Sequence, residues 1–322
     1  HLHWSMIFWI NVPLAVGALF LLLPRMGKIP VFHSRRKVDW LGGVLLMASA
    51  VGVMLVLSWG GNRYAWLSPA IMAMIGASVA LAFAFVWHAR NAEEPFLPLP
   101  LLGGTVVPYA MAAGGCALGA ITALTVHLPL YYEVVYHLTA SEAGLALIPL
   151  AAVSTCGAAI AGRTMARARH YKRVAIVGTS AATIFGLVLS VTTMPLWGLL
   201  IVLSLFALGL GTTFPVSVVS LQNSVARAQI GTVTGAMNFF RALMSSFMVA
   251  AFSAILLMAL GPGISIGEHR GPANAIPVAD MVTAFHYVFG AATALLACAA
   301  LSIILMEERP LAGPSTPAEM AE

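Results

Sequence analysis

Nine stretches of this chain are continuously apolar, and the polar residues gather between them. The stretches are Met6–Leu23, Trp40–Trp59, Pro69–His88, Thr105–Val126, Ala143–Ala161, Val174–Thr192, Leu196–Val219, Thr232–Leu260 and Met281–Met306. Roughly 20 helical residues cross about 30 Å of hydrocarbon, so each stretch predicts one membrane-crossing helix. The eighth is long enough to tilt or to extend past the bilayer. None shows the period-two alternation of barrel strands. The pattern therefore predicts an all-α, polytopic membrane protein.

Composition sharpens this. The chain has 322 residues, of which 60% are hydrophobic and only 8% charged. A soluble domain carries about 25% charged residues, so a water-exposed surface is not available from this composition. The net charge of +5 is sorted by side rather than clustered for nucleic acid. One set of alternate loops holds Arg25, Lys28, Arg35, Arg36, Lys37, Arg90, Arg163, Arg167, Arg169, Lys172, Arg173 and Arg227, with Arg309 in the tail. The opposite set holds Arg63 and Arg270, and Arg241 completes the sixteen. Basic loops stay on the cytoplasmic side, which predicts an outside start, a cytoplasmic C-terminus and a cell (plasma or inner) membrane. Cys116, Cys156 and Cys298 lie inside apolar runs and read as small membrane residues. No metal site and no cofactor is expected.

Arg241 is the one charge inside any apolar run. A charge at bilayer depth costs roughly 3 kcal/mol on insertion scales and is rarely left facing lipid. Thr234, Asn238, Arg241 and Ser245 recur at steps of four, three and four, which places them on one helix face. Thr213, Ser217, Ser220 and Ser224 recur in the same way on the preceding run. Both stripes are candidates for lining an inner, water-filled vestibule; the alternative is hydrogen bonding between helices. Gly115/Gly119 and Gly231/Gly235 are spaced for close helix approach. Pro149 and Pro215 predict kinks.

Trp4-Ser5-Met6-Ile7-Phe8-Trp9-Ile10-Asn11-Val12-Pro13 resembles the W-x-x-I-F-x-I-N-x-P signature of the drug:proton antiporter-2 family. This is the fourteen-helix, EmrB/QacA-like multidrug branch of the major facilitator superfamily. Further similarity follows in order: Leu128–Glu133, Ala143-Gly144-Leu145, Ile148-Pro149-Leu150, Gly162-Arg163 with His170-Tyr171-Lys172, and Phe214-Pro215, Gln222-Asn223, Gly231 and Phe239-Phe240-Arg241. Four departures stand out. Glu133 replaces a usual Gln, Ala168-Arg169-His170 departs from TGR, Ala242 replaces Gln, and Ser245-Ser246 replace a Gly pair.

The resemblance implies that the chain corresponds to the family's helices six to fourteen. Residues 1–24 would be the last helix of the N-terminal bundle and 25–39 a basic cytoplasmic loop. Residues 40–104 would form two linker helices with their connecting loop, 105–306 a six-helix C-terminal bundle, and 307–322 a cytoplasmic tail. A chain that opens on His1 is expected to be the interior of a longer protein, with the rest of the N-terminal bundle as a partner. The implied activity is secondary export of small amphipathic or cationic organic compounds against inward proton flow, with membrane lipid, a small organic substrate and protons as partners. Other solutes, and a non-transporting remnant, are the alternatives. The basic loop with Gly162, Arg163, Arg167, Arg169 and Lys172 would serve as a cytoplasmic gate; as plain positive-inside charge it needs no such role. Glu133 is the proton-site candidate, with Tyr131, Tyr132 and Tyr136 expected around it; otherwise it is a solvated rim carboxylate. His127, His137 and His286 show no metal-ligand spacing and read as interfacial or packed. No G-x-x-x-x-G-K-[ST] loop is present, and no enzyme is expected.

Overall fold

The computed structural model describes residues 9, 11–26, 39–60, 63–92, 95, 103–167, 170–261 and 277–310. The chain divides into two compact units, His1–Lys37 and Val38–Glu322. In the first, α1 spans Asn11–Met26. The Trp4–Phe8 part of the signature, Ile10 and the basic residues Lys28 to Lys37 lie outside the described residues.

The second unit is entirely helical among its described residues, apart from a lone Gly60–Tyr64 bridge. Its helices are α2 (Trp40–Trp59), α3 (Pro69–Asn91), α4 (Val107–Val135), α5 (Ala140–Ala146), α6 (Ile148–Met165), α7 (Lys172–Val191), α8 (Leu196–Asn223), α9 (Ile230–Leu260) and α10 (Val278–Leu305). Among the described residues eight helical segments are long and apolar enough to cross a membrane, and α1 adds a shorter apolar one. Eight of the nine expected runs are thus found as helices of spanning length, the first is described only as the shorter α1, and the fourth and fifth differ most from expectation.

The fourth run was expected to stop at Val126, but α4 continues to Val135. Pro129 removes one amide donor, yet Leu130, Val134 and Val135 pack against the apolar core beyond it, and that contact holds the helix together. The fifth run divides at Leu147 into α5 and α6. Pro149, in the first turn of α6, sits where its missing N–H is tolerated. Pro215, by contrast, lies inside a helix that stays continuous.

Helix starts follow local chemistry. Asp39 accepts from the Gly42 amide at 2.8 Å, and Ser68 caps Ile71 just before Pro69. Thr139 and Glu142 form a capping box ahead of α5. Asp39 also contacts His88 Nε2 at 2.9 Å, tying the start of α2 to the end of α3 as a hairpin. That hairpin packs on α9 through α2. Of the remaining helices, α4 packs on α8, α9 and α10, while α6 and α7 both pack on α8.

Two apolar clusters fill this bundle. One holds Leu124, Leu128, Tyr131, Tyr132, Phe206, Phe252, Phe285 and Phe289. The other, toward the end bearing Arg163, Lys172 and Arg309, holds Met111, Met165, Tyr171, Val216, Leu221, Met237, Ile303 and Met306. We call that end the basic end. Small residues let backbones meet: a Cβ on Gly157 would strike the Leu208 carbonyl, one on Gly211 the Ser154 carbonyl, and one on Gly209 the Gly178 carbonyl. Gly115 and Gly119 receive Met244 and Met248 of α9. The Gly231/Gly235 pair, expected to pack, has nothing within 4 Å of either Cβ position.

At the basic end residues 306–310 form a strap across three helix termini. Lys172 Nζ donates to the carbonyls of Ile304, at 2.7 Å, and Met306, and the Lys172 amide donates to Glu308 at 3.2 Å. Tyr171 OH donates to the Arg309 carbonyl at 3.1 Å, and Asn223 Nδ2 to that of Pro310 at 2.9 Å. Glu307 accepts from the Thr105 hydroxyl and returns its amide to the Thr105 carbonyl. The Thr105 hydrogen bond, with Arg309 second, holds the Glu307 carboxyl below the usual carboxylate range. A depressed acid contributes its contact above the unfolded value, about 4.3 for Glu, and loses it as pH falls through the folded one. Hydrogen exchange at the Glu307 amide, corrected for intrinsic rates, is therefore expected to accelerate below about pH 4. Glu307→Gln should remove that dependence; an unchanged profile in the variant would refute the assignment.

Candidate functional site

The polar interior of the bundle lies where the two apolar clusters meet. Arg241 leaves α9 in the turn after Met237, crosses α4 over Gly114 and reaches α8. A Cβ on Gly114 would lie 2.7 Å from Arg241 Nε and 2.8 Å from Nη2, so a side chain here would oblige the guanidinium to shift. Nη2 donates to Ser217 Oγ at 2.8 Å and more weakly to the Phe214 carbonyl at 3.4 Å. The Ser217 hydroxyl in turn donates to the Phe214 carbonyl at 3.0 Å. The guanidinium carbon stands 5.5 Å from the Phe214 ring centroid, within cation–π range. Three helices thus hold the charge with neutral dipoles and a ring; the described residues offer it no carboxylate. Arg241 Nε and the Thr213 hydroxyl are both buried without an acceptor or donor among the described residues.

The two predicted stripes behave differently. Thr213, Ser217 and Ser220 are buried inside the bundle, an arrangement that fits the interhelical alternative for this stripe. α8 turns them inward because α4, α6 and α7 cover it. Ser220 hydrogen-bonds Tyr171 OH at 3.4 Å, which connects it to the strap. Ser224 closes on its own helix through the Leu221 carbonyl. On α9, Asn238 is exposed, while Thr234, Arg241 and Ser245 are half-buried. Thr234 accepts from Gln222 Nε2 at 3.2 Å, a second bridge from α9 to α8. Interhelical bonds of this kind are worth about 0.6 kcal/mol each on average in membranes.

Tyr131 and Tyr132 do not surround Glu133. Successive residues on a helix point about 100° apart, so Glu133 is exposed while both tyrosines turn inward. Tyr131 packs on Phe285, centroid to centroid 4.6 Å, and Tyr136 OH donates to the Met194 carbonyl at 2.7 Å. Of the gate candidates, Gly162, Arg163 and Arg167 are exposed, and Arg169 lies outside the described residues. Lys172 caps α10 of its own bundle, so its ammonium is already committed. Sequence reasoning missed Gly114, Gln222 and the Tyr171 relay. Gln222 stood in a quoted motif, but nothing in the spacing aimed it at Thr234.

A bundle of long apolar helices with a charge held among neutral groups in its interior defines a multi-pass membrane protein. The profile of the Major Facilitator Superfamily matches residues 1–249, and the chain belongs to that family. It is similar to an uncharacterized MFS-type transporter of Mycobacterium tuberculosis, 29% identical over 290 residues that cover 86% of this chain and 41% of the relative. Multidrug resistance protein 3 of Bacillus subtilis is 26% identical over 254 residues, 78% of this chain and 49% of that protein. Efflux pump FUS6 of Gibberella moniliformis is 28% identical over 267 residues, 79% and 47% respectively. The chain spans less than half the length of these curated relatives. The names of these relatives are those of transporters, a drug-resistance protein and efflux pumps.

Proposed function

We propose that the intact protein exports small amphipathic or cationic organic compounds across the cell membrane, driven by inward proton flow. In this reading it is a fourteen-helix drug:proton antiporter, and the chain supplies helices six to fourteen. The basic end faces the cytoplasm, as the sorting of Lys and Arg supports. The observation that carries the reading is Arg241, held across Gly114 onto Ser217 beside the exposed Asn238. Its guanidinium is occupied by α8, so it positions α9 against α8 rather than holding substrate. Asn238, Thr234 and Ser245 are the side chains left to line a path at that depth. The names of the bacterial and fungal relatives support an efflux role. The exposed Arg163 and Arg167 keep their proposed role as cytoplasmic gate, and the exposed Glu133, without tyrosines around it, reads as a rim carboxylate.

Cysteine labelling tests the arrangement. Asn238→Cys is expected to react with a membrane-impermeant thiol reagent from the cytoplasmic side, and transported substrate should slow the reaction. Thr213→Cys should stay protected. Labelling of Asn238→Cys only from outside would overturn the orientation. Efflux of ethidium from cells, and its collapse by an uncoupler, tests the coupling and the substrate class. A solute other than a drug-like compound remains the second reading, favoured if ethidium efflux is absent while labelling behaves as expected.

A further inference from the structure

His127 lies outside the site above, on the side of α4 that faces α9 and the α2 hairpin. It is 6% exposed. Its Nδ1 stands 2.7 Å from the Ala123 carbonyl, and its Nε2 2.9 Å from Ser253 Oγ on α9. Ser253 Oγ in turn stands 3.0 Å from the Val249 carbonyl. A carbonyl only accepts, so Nδ1 carries a hydrogen. Nε2 is then the position at which protonation changes the charge.

Both protonation states satisfy this chain of contacts. With a neutral ring, the Ser253 hydroxyl donates to Nε2. With a charged ring, Nε2–H donates to Ser253, and the hydroxyl rotates to donate to the Val249 carbonyl. No donor loses its acceptor in either state. A buried charge is costly unless every hydrogen it presents is bonded, and here a single rotation about one side-chain bond meets that condition. An aromatic or aliphatic residue would fill the same volume without this pair of states.

A cavity adjoins the ring. A cavity of about 640 Å³ opens between α2 and α9, with His127 and Ser253 in its wall beside Met54, Ser58, Ser246 and Leu257. The other lining groups are aliphatic, so neither α2 nor α9 brings a titratable side chain to the ring from the cavity. Phe252 of α9 stands 6.3 Å away, ring to ring. On α4 itself Tyr131, one turn on, is turned to Phe285 and Phe289 of α10. His286 is one residue, about 100° of helix, round from Phe285, and Asp280 is exposed on the first turn of α10. The charge of α9, Arg241, is twelve residues from Ser253, roughly 18 Å toward the basic end.

We propose that His127 and Ser253 form a proton-binding site that sets the strength of the α4–α9 contact. Charging the ring converts a neutral bond between these helices into a charge-assisted one, which is roughly twice as strong. The site lies seven residues from the end of α9, roughly 10 Å in from the side opposite the basic end. Its link to transport rests on the proton-coupled reading above; the protonation itself does not.

The test is nitrogen NMR of histidine-labelled intact protein in lipid nanodiscs. Val126–His127 is the one Val–His pair of the chain, so paired carbonyl and nitrogen labelling checks the assignment alongside His127→Gln. The expected result is conversion from one neutral tautomer to the doubly protonated ring between about pH 8 and about pH 5, the range in which histidine changes charge. Ser253→Ala, which leaves charged Nε2–H without its acceptor, should hold the ring neutral across the same range. A parent ring that keeps its neutral tautomer throughout overturns the proposal, as does a Ser253→Ala protein that titrates like the parent. In proteoliposomes His127→Gln should flatten the pH dependence of transport. Absent transport in a parent whose ring titrates would remove the proton-coupled reading and leave the site standing.

Discussion

Gly211→Val is expected to abolish folded protein. The β-carbon alone would strike the Ser154 carbonyl and stand 3.1 Å from the Ser154 Cα, and all the atoms in its way are backbone. Side chains relieve overpacking by changing rotamer, whereas here a whole helix must move. Overpacking that forces side chains off rotamer and shifts backbone costs about 1–3 kcal/mol and occasionally more. Gly157→Val should fail for the reciprocal reason, against the Leu208 carbonyl. Because α6 carries Ser154 and Gly157 while α8 carries Leu208 and Gly211, both variants wedge open one contact. Gly231→Ala and Gly235→Ala are the controls: both positions are open, and alanine improves helix propensity by about 1 kcal/mol. Size-exclusion profiles of detergent-extracted protein and thermal midpoints read the difference. A monodisperse Gly211→Val protein with the parent midpoint would show that α6 and α8 do not approach this closely.

The second large effect is on transport. Arg241→Gln should lower efflux at least about tenfold, or 1.4 kcal/mol, since hydrogen bonds to a charged group contribute about 1.5–3 kcal/mol. Gly114→Ala should act in the same direction, by a smaller factor and without removing the charge, because its methyl group pushes the guanidinium off its passage. The two act through one contact, so the double variant should be no worse than the poorer single one. Ser217→Ala removes the acceptor at 2.8 Å and belongs to the same cycle. Full additivity of Gly114→Ala and Arg241→Gln would mean that the glycine serves packing alone.

The spans were legible because avoidance of water is a property of composition, and each run carried it without needing a neighbour. The extension of α4 was not, since Pro129 and Glu133 look like an end until Val134 and Val135 are seen to have a core to meet. Arg241 announced itself as the lone charge in a run, and Ser217 was within the predicted stripe. Gly114 was hidden beside Gly115: only three-dimensional packing tells which of two adjacent glycines yields to a guanidinium and which to Met244. The same limit misdirected the choice of Gly231/Gly235 over Gly157 and Gly211. Spacing along one helix does not say what lies opposite. The strap was also out of reach, because Glu307 to Pro310 has no periodicity and its partners are far away in sequence.

The two sides of α8 and α4 are built from different materials. Where α6 and α7 meet α8, carbonyls rest directly on glycines, a fit that no side-chain rotation can loosen. Where α9 meets α4, the glycine track of Gly115 and Gly119 carries Met244 and Met248, unbranched thioethers that adopt several shapes at little cost. One interface is set by backbone and the other by pliable side chains, so the α4–α9 contact is the one whose side chains have room to rearrange.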